Sequence, residues 1–159
     1  FLNELAITPR QNLTIRLHAD CRYLNWNEEA RWKRFDSALK IDAGSVNICD
    51  LIANSRLVVH SYDSTGILET LSQNIPTLAF WQNGFDHLRE SAKPFYNLLV
   101  DVGIVHFTPE AVAQKVNEVW DDIDTWWRTP EVQDARKKFC DRYAKQSENP
   151  VQDLKFLIN

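Results

Sequence analysis

No apolar run in the 159-residue sequence approaches the roughly 18 residues that a membrane-crossing helix requires. The opening Phe1-Leu2 begins no secretory-signal pattern. Cysteine is scarce. Cys21, Cys49 and Cys140 are odd in number with no paired spacing, which argues against a disulfide framework or a zinc site and fits a reducing compartment. A basic excess is missing too: 18 Lys and Arg stand against 22 Asp and Glu, a net charge of −4. Proteins that bind nucleic acid generally show a basic stripe or patch, so nucleic acid is not an expected partner. Neither internal repeats nor low-complexity tracts occur. The expected placement is cytoplasmic, at most against the inner face of a membrane.

What is present points to one globular domain. Hydrophobic residues make up 44% of the chain, and 159 residues can enclose a core without metal or disulfide staples. The chain begins with Phe1 rather than Met, so it is expected to be part of something longer. Its pattern changes at about residue 108. Residues 1–107 alternate β-type runs with helical stretches, and residues 108–159 read as helices.

The β-type runs are Leu13–His18, Ala38–Asp42, Arg56–His60, Pro76–Trp81 and Ile104–Phe107. The third and fourth are nearly continuous apolar runs, as central parallel strands covered on both faces should be. A helix is predicted from about Val46 to Ala53 with Ser45 as its N-cap, and another from Thr65 to Gln73 with Ile67, Leu68 and Leu71 on one face. A further helix is expected over Asp86 to Glu90. Beyond residue 108, Thr108-Pro109-Glu110 and Thr129-Pro130-Glu131 each set a capping hydroxyl before a first-turn proline. Val112, Val116, Val119, Trp120, Ile123 and Trp127 continue the first of these as one helical stripe, and Val132, Ala135, Phe139 and Tyr143 continue the second. Asn149-Pro150 opens a last helix carrying Leu154 and Leu157. Strands alternating with helices predict an α/β, Rossmann-like three-layer domain with a mainly parallel sheet of about five strands and a helical C-terminal layer.

The chemistry is concentrated between Val58 and Leu71. A buried strand ends near His60, a polar turn follows, and a helix begins near Thr65. Free N–H groups and the macrodipole at a helix N-terminus form a site for phosphate or carboxylate. Ser61, Ser64 and Thr65 add hydroxyls, Gly66 allows close approach to the backbone, and the turn lies beyond the carboxyl end of a strand, where open α/β sheets bind ligands. Glu69 can accept hydrogen bonds from ribose hydroxyls; it can equally support the helix dipole. The hydroxyl cluster can equally be ordinary capping. His60 can act on a phosphate or as an acid or base, or be a satisfied structural histidine. Asp63 can be a general base or the anchor of an Asx turn.

The residues Arg16-Leu17, His60-Ser61-Tyr62-Asp63-Ser64-Thr65-Gly66, Leu68-Glu69-Thr70, Ile75-Pro76-Thr77 and Phe80-Trp81 resemble a family of uncharacterised bacterial transferases linked to surface-polysaccharide synthesis. More broadly, Cys49 through Glu69 followed by Asn74-Ile75-Pro76-Thr77 resembles the donor-binding, C-terminal domain of GT-B glycosyltransferases. The resemblance covers about Leu13 to Tyr143. It implies a metal-independent transferase with no cofactor beyond its substrate, a nucleotide-activated sugar, and a glycan or lipid-linked acceptor presented by the other, N-terminal domain of a longer, two-domain protein. Ser64, Thr65 and Gly66 would then hold the donor phosphate and Glu69 the ribose. The Ser-rich turn followed by Glu is similar as well to transferases that use CMP-activated sugar acids, but their His-Pro motif is broken here, since Ala19 follows His18. A CDP-glycerol or CDP-ribitol phosphotransferase and a non-catalytic nucleotide-binding module remain as alternatives.

Arg16 and His18 share one face at the end of the first strand, where Arg16 can grip a phosphate or both can form a polar edge. Trp81 ends the fourth strand and can stack on a base or sugar ring or cover the core. His87 and His106 read as isolated structural residues, and Trp120, Trp126 and Trp127 as a packing stripe. Asp121-Asp122-Ile123-Asp124 reads as the solvated face of a helix interior rather than a metal motif. No metal ligand is assigned.

Overall fold

The computed structural model describes residues 1–24 and 26–158, excluding the side chains of Ala19, Arg22, Leu157 and Ile158. The elements run α1 (Ile7–Asn12), β1 (Thr14–Arg16), α2 (Glu28–Phe35), β2 (Lys40–Asp42), α3 (Ile48–Ala53), β3 (Val58–His60), α4 (Thr65–Ser72), β4 (Thr77–Phe80), α5 (Lys93–Asp101), β5 (Val105–His106), α6 (Pro109–Val119), α7 (Ile123–Trp127), α8 (Pro130–Tyr143) and α9 (Pro150–Ile158). Each strand falls inside an expected apolar run, and every ladder is parallel.

The five strands do not form one continuous sheet among the described residues. They form a two-stranded ladder, β1-β2, and a three-stranded ladder, β3-β4-β5. The two ladders meet through side chains instead: Ile15, Ile41, Leu57 and Val59 pack with buried Leu39 and Leu78. In the larger ladder β3 pairs with β4 in the register Val59↔Leu78, and β4 pairs with β5 in the register Ala79↔Val105. Only β4 is central. Its Thr77, Leu78 and Ala79 are buried, whereas β3 lies at the ladder's edge and is half-buried throughout, contrary to the expectation of two central strands.

Successive strand residues point to opposite faces, so Leu78 and Ala79 identify the two layers. Ala79 joins Ile67, Leu71, Tyr96, Leu99 and Phe139, contributed by α4, α5 and α8. Leu78 joins Leu2, Leu5, Val112, Ala113 and Val116, contributed by the N-terminal segment and α6. The three-stranded ladder is therefore covered on both sides, and burial of one large side chain such as Phe139 stabilises the layer by roughly 1.5–3 kcal/mol.

Several boundaries differ from the sequence expectation for local reasons. Helix α3 starts at Ile48 with Asn47 as its cap, because the Ser45 hydroxyl is bound to Asp42 at 2.7 Å. The segment expected to be helical near Asp86 to Glu90 is turns; Asn83 and Gly84 take φ of 70° and 57°, and the helix begins only at Lys93. The long apolar stripe is split between α6 and α7. Asp122 leaves helical geometry at φ −143° and caps α7, accepting from the Thr125 N–H at 3.1 Å and its hydroxyl at 2.5 Å. The acidic run thus marks a helix junction rather than a helix interior. At α8, Thr129 supplies no side-chain cap; its hydroxyl donates to the Trp126 carbonyl. Leu154 on α9 is exposed, and the side chain of Leu157 lies outside the described residues.

Candidate functional site

Strands β3 and β4 are adjacent and parallel, so the chain segments that leave their carboxyl ends emerge at the same edge. The first is the turn Ser61–Ser64 into α4; the second is the segment from Trp81 to Ala92. Together they build the candidate site.

The turn into α4 is open. Ser61, Tyr62, Thr65 and Glu69 are exposed, and Ser64 is half-buried. Ser64 is the N-cap of α4, yet its side chain makes no capping hydrogen bond. Among the described residues the hydroxyls of Ser61 and Thr65 make no hydrogen bond either. The Ile67 N–H donates to the Ser64 carbonyl at 3.1 Å, whereas the N–H groups of Thr65 and Gly66 make no hydrogen bond among the described residues. Glu69 is the fifth residue of α4, beyond the first turn, so support of the dipole explains it poorly. Its four-residue spacing places it on the same helix face as Thr65.

His60 supports this turn from beneath. Gly66 packs so closely on the imidazole that a Cβ there would lie 3.0 Å from Cε1. The single Thr70 hydroxyl proton is directed at the carbonyls of Gly66 and Ile67, 3.1 and 3.2 Å away. His60 Nε2 is hydrogen-bonded to the same hydroxyl at 3.2 Å. Burial pushes the His60 pKa down to about 4, so the ring is neutral at pH 7. This arrangement makes His60 a prop under Gly66.

Asp63 is built differently. Its carboxylate accepts from His87 Nε2 at 2.9 Å and from the Tyr96 hydroxyl at 3.3 and 3.4 Å. Burial, then the neighbouring Asp63 charge, raises the Tyr96 pKa, which keeps the phenol a donor. Trp81 is buried and stands edge-on to both His87 and Tyr96, with ring centroids 6.0 Å apart in each pair. Its indole N–H donates to the Gly84 carbonyl at 2.9 Å, so Trp81 walls the site from the core side. His87 and Tyr96 are the residues that sequence reasoning missed. They lie 24 and 33 positions from Asp63, and only the shared edge of β3 and β4 joins them. The available signal was that His87 follows the fourth apolar run, one of the two read as central strands.

Arg16 and His18 are placed on other duties. Arg16 pairs with buried Asp42 and donates to the Val46 carbonyl at 2.7 Å. Burial alone would raise the Asp42 pKa, but hydrogen bonds from Ser45 and Arg16 outweigh it and hold the carboxyl well below the usual range. His18 is exposed and caps a short 3-10 turn by accepting from the Asp20 N–H at 3.2 Å. His106, half-buried, donates to the Gly103 carbonyl at 3.0 Å, as a structural histidine does. No group of three or more His, Cys, Asp or Glu among the described residues could hold a metal ion, and no helix there is long and apolar enough to cross a membrane. An open depression of about 250 Å³, lined by Ser72, Arg136 and Cys140 among others, lies at the opposite end of α4.

A family profile described as LIC12162 family transferase matches residues 1–158. The chain belongs to this family. No curated protein and no solved structure matches it significantly. For a LIC12162 family transferase, the edge formed by α4's N-terminus and the Asp63–His87 pair offers uncommitted donors beside an oriented imidazole.

Proposed function

We propose that this LIC12162 family transferase binds a nucleotide-activated sugar at the N-terminus of α4 and serves surface-polysaccharide synthesis. The observation that carries the reading is the set of unspent donors there. Ser61, Ser64 and Thr65 keep their hydroxyls free at the carboxyl edge of a parallel ladder, on a helix whose first two amides, those of Thr65 and Gly66, lack acceptors among the described residues. The resemblance of residues Cys49 to Thr77 to GT-B donor domains supports the same assignment. Ser64, Thr65 and Gly66 hold the diphosphate, and Glu69, exposed and on the Thr65 face, takes the ribose hydroxyls. Departure of the nucleotide is then favoured by donors already fixed in place, with little reorganisation required. A glycan or lipid-linked acceptor comes from the other domain of the protein.

Calorimetry with UDP-glucose, GDP-mannose, CDP-glycerol and CMP-N-acetylneuraminate tests this directly. Binding of a UDP- or GDP-linked sugar is expected; a response to CDP-glycerol alone would favour the phosphotransferase, and silence from all four would favour an interaction module. Replacing Glu69 with Ala is expected to weaken donor binding by about 1–3 kcal/mol, about 5- to 150-fold in Kd, with the melting temperature kept. Unchanged affinity with a lowered melting temperature would reduce Glu69 to a helix-supporting residue.

A further inference from the structure

We propose that His87 is the general base of the transfer reaction and that Asp63 is its positioning residue. The inference rests on the donor-binding reading above and assigns the acceptor side of the same edge.

A carboxylate is an acceptor only, so the His87 nitrogen that faces Asp63 Oδ2 at 2.9 Å, Nε2, must carry the proton. In the neutral ring Nδ1 then presents a lone pair. Nδ1 makes no hydrogen bond among the described residues, and the His87 side chain is 46% exposed against 21% for Asp63. The basic nitrogen is therefore available on the open side while its orienting partner is sheltered. The Tyr96 hydroxyl donates to both Asp63 oxygens and Trp81 stands edge-on to the imidazole, so carboxylate and ring are each held by a second group. Asp63 immediately precedes Ser64, the N-cap of α4. The base thus adjoins the proposed phosphate cradle, which is where an acceptor hydroxyl must come to reach the sugar carbon.

The step balances without a co-reactant. The acceptor O–H bond breaks and its proton goes to His87 Nδ1. The acceptor oxygen forms the new bond to the anomeric carbon, and the bond from that carbon to phosphate oxygen breaks. The nucleoside diphosphate departs with the electron pair, and the imidazolium formed is stabilised by Asp63. His60 cannot take this role, since it lies beneath Gly66 with Nε2 bound to Thr70.

The test uses the full-length protein with UDP-glucose and GDP-mannose, following nucleotide release with water as acceptor and with sodium azide added. Azide carries no proton, so it needs no base. His87→Ala is expected to lose about 10²- to 10⁴-fold in release to water, to keep its UDP Kd within about threefold, and to recover with azide. Asp63→Asn should lose activity in the same direction and recover with azide as well. Release to water at the wild-type rate in His87→Ala would overturn the proposal. So would loss that azide does not restore, or loss matched by weaker UDP binding; either result makes the pair a latch between two loops. Failure of the unaltered protein to bind UDP or GDP would overturn the donor reading itself, an outcome visible before any variant is made.

Discussion

At the scale of single residues, the site contains two histidines with opposite environments. His60 is desolvated with its pKa pushed down to about 4, while His87 stands half in solvent against a carboxylate. The consequence for His60 is a stability that depends on pH. An unfolded histidine takes up its proton near pH 6.5, whereas the folded ring refuses it until about 4. Between those values the unfolded state binds more protons, so stability rises with pH. The contribution is fully present above about pH 6.5 and is lost as pH falls toward 4, on the order of 3 kcal/mol in total. Urea unfolding of the wild type and His60→Gln at pH 7 and pH 4.5 checks this. The variant is expected to lose less on acidification, and equal losses would show that His60 titrates normally. The strand–turn–helix order around it was legible in the sequence, because hydroxyls and a glycine stand between an apolar strand and a helical face. The Asp63–His87 pairing was not, since nothing local to either residue encodes the other.

At the scale of elements, α4 is the piece that matters, and it is fixed at both ends. Its N-terminus rests on His60 through Gly66 and Thr70. At its C-terminus, Asn74 turns the chain with φ 58°, and Trp127 Nε1 binds the Asn74 carbonyl at 3.1 Å and its side-chain oxygen at 3.0 Å. The buried Arg136 on α8 donates to the Leu71 carbonyl at 2.8 Å, placing a cation where the helix macrodipole is negative. Replacing Arg136 with Met keeps the bulk of the side chain and removes the donor. That removes a charge-assisted hydrogen bond and leaves the Leu71 carbonyl only the Asn74 N–H, 3.1 Å away, with an expected cost of about 1.5–3 kcal/mol in urea unfolding. A shift under 0.5 kcal/mol would indicate that water replaces the guanidinium. Sequence periodicity located α4, α6 and α8 because their apolar faces repeat at helical spacing. It placed a helix too early after β4, because the left-handed turn at Asn83 and Gly84 delays α5 until Lys93. It also joined α6 to α7, because their buried stripe continues across a break that only the Asp122 cap creates.

At the scale of the whole molecule, the parallel α/β plan was readable and its continuity was not. Five apolar runs identify five strands, but their length of two to four residues leaves the pairing to tertiary context, and the ladders divide. The layers hold because Leu78 and Ala79 feed separate apolar clusters on the two sides of β4. Among its described side chains, helix α9 contributes little to either. Val151, Leu154 and Phe156 on it are 64%, 58% and 86% exposed, and none joins a core cluster. Its start is organised locally instead, with the Ser147 hydroxyl donating to Asp153 at 2.6 Å and accepting from the Asn149 N–H at 3.0 Å. Apolar side chains that stay in water gain no transfer free energy on folding. Ending the chain after Gln146 is therefore expected to change its unfolding free energy by less than about 1 kcal/mol, since burial is the term that large losses require. Urea titrations of the 159-residue chain and the shortened one, followed by tryptophan fluorescence, measure the difference. No tryptophan lies beyond Trp127, so the signal reports the layered core in both. A drop of several kcal/mol would mean that α9 folds back onto that core and shields it.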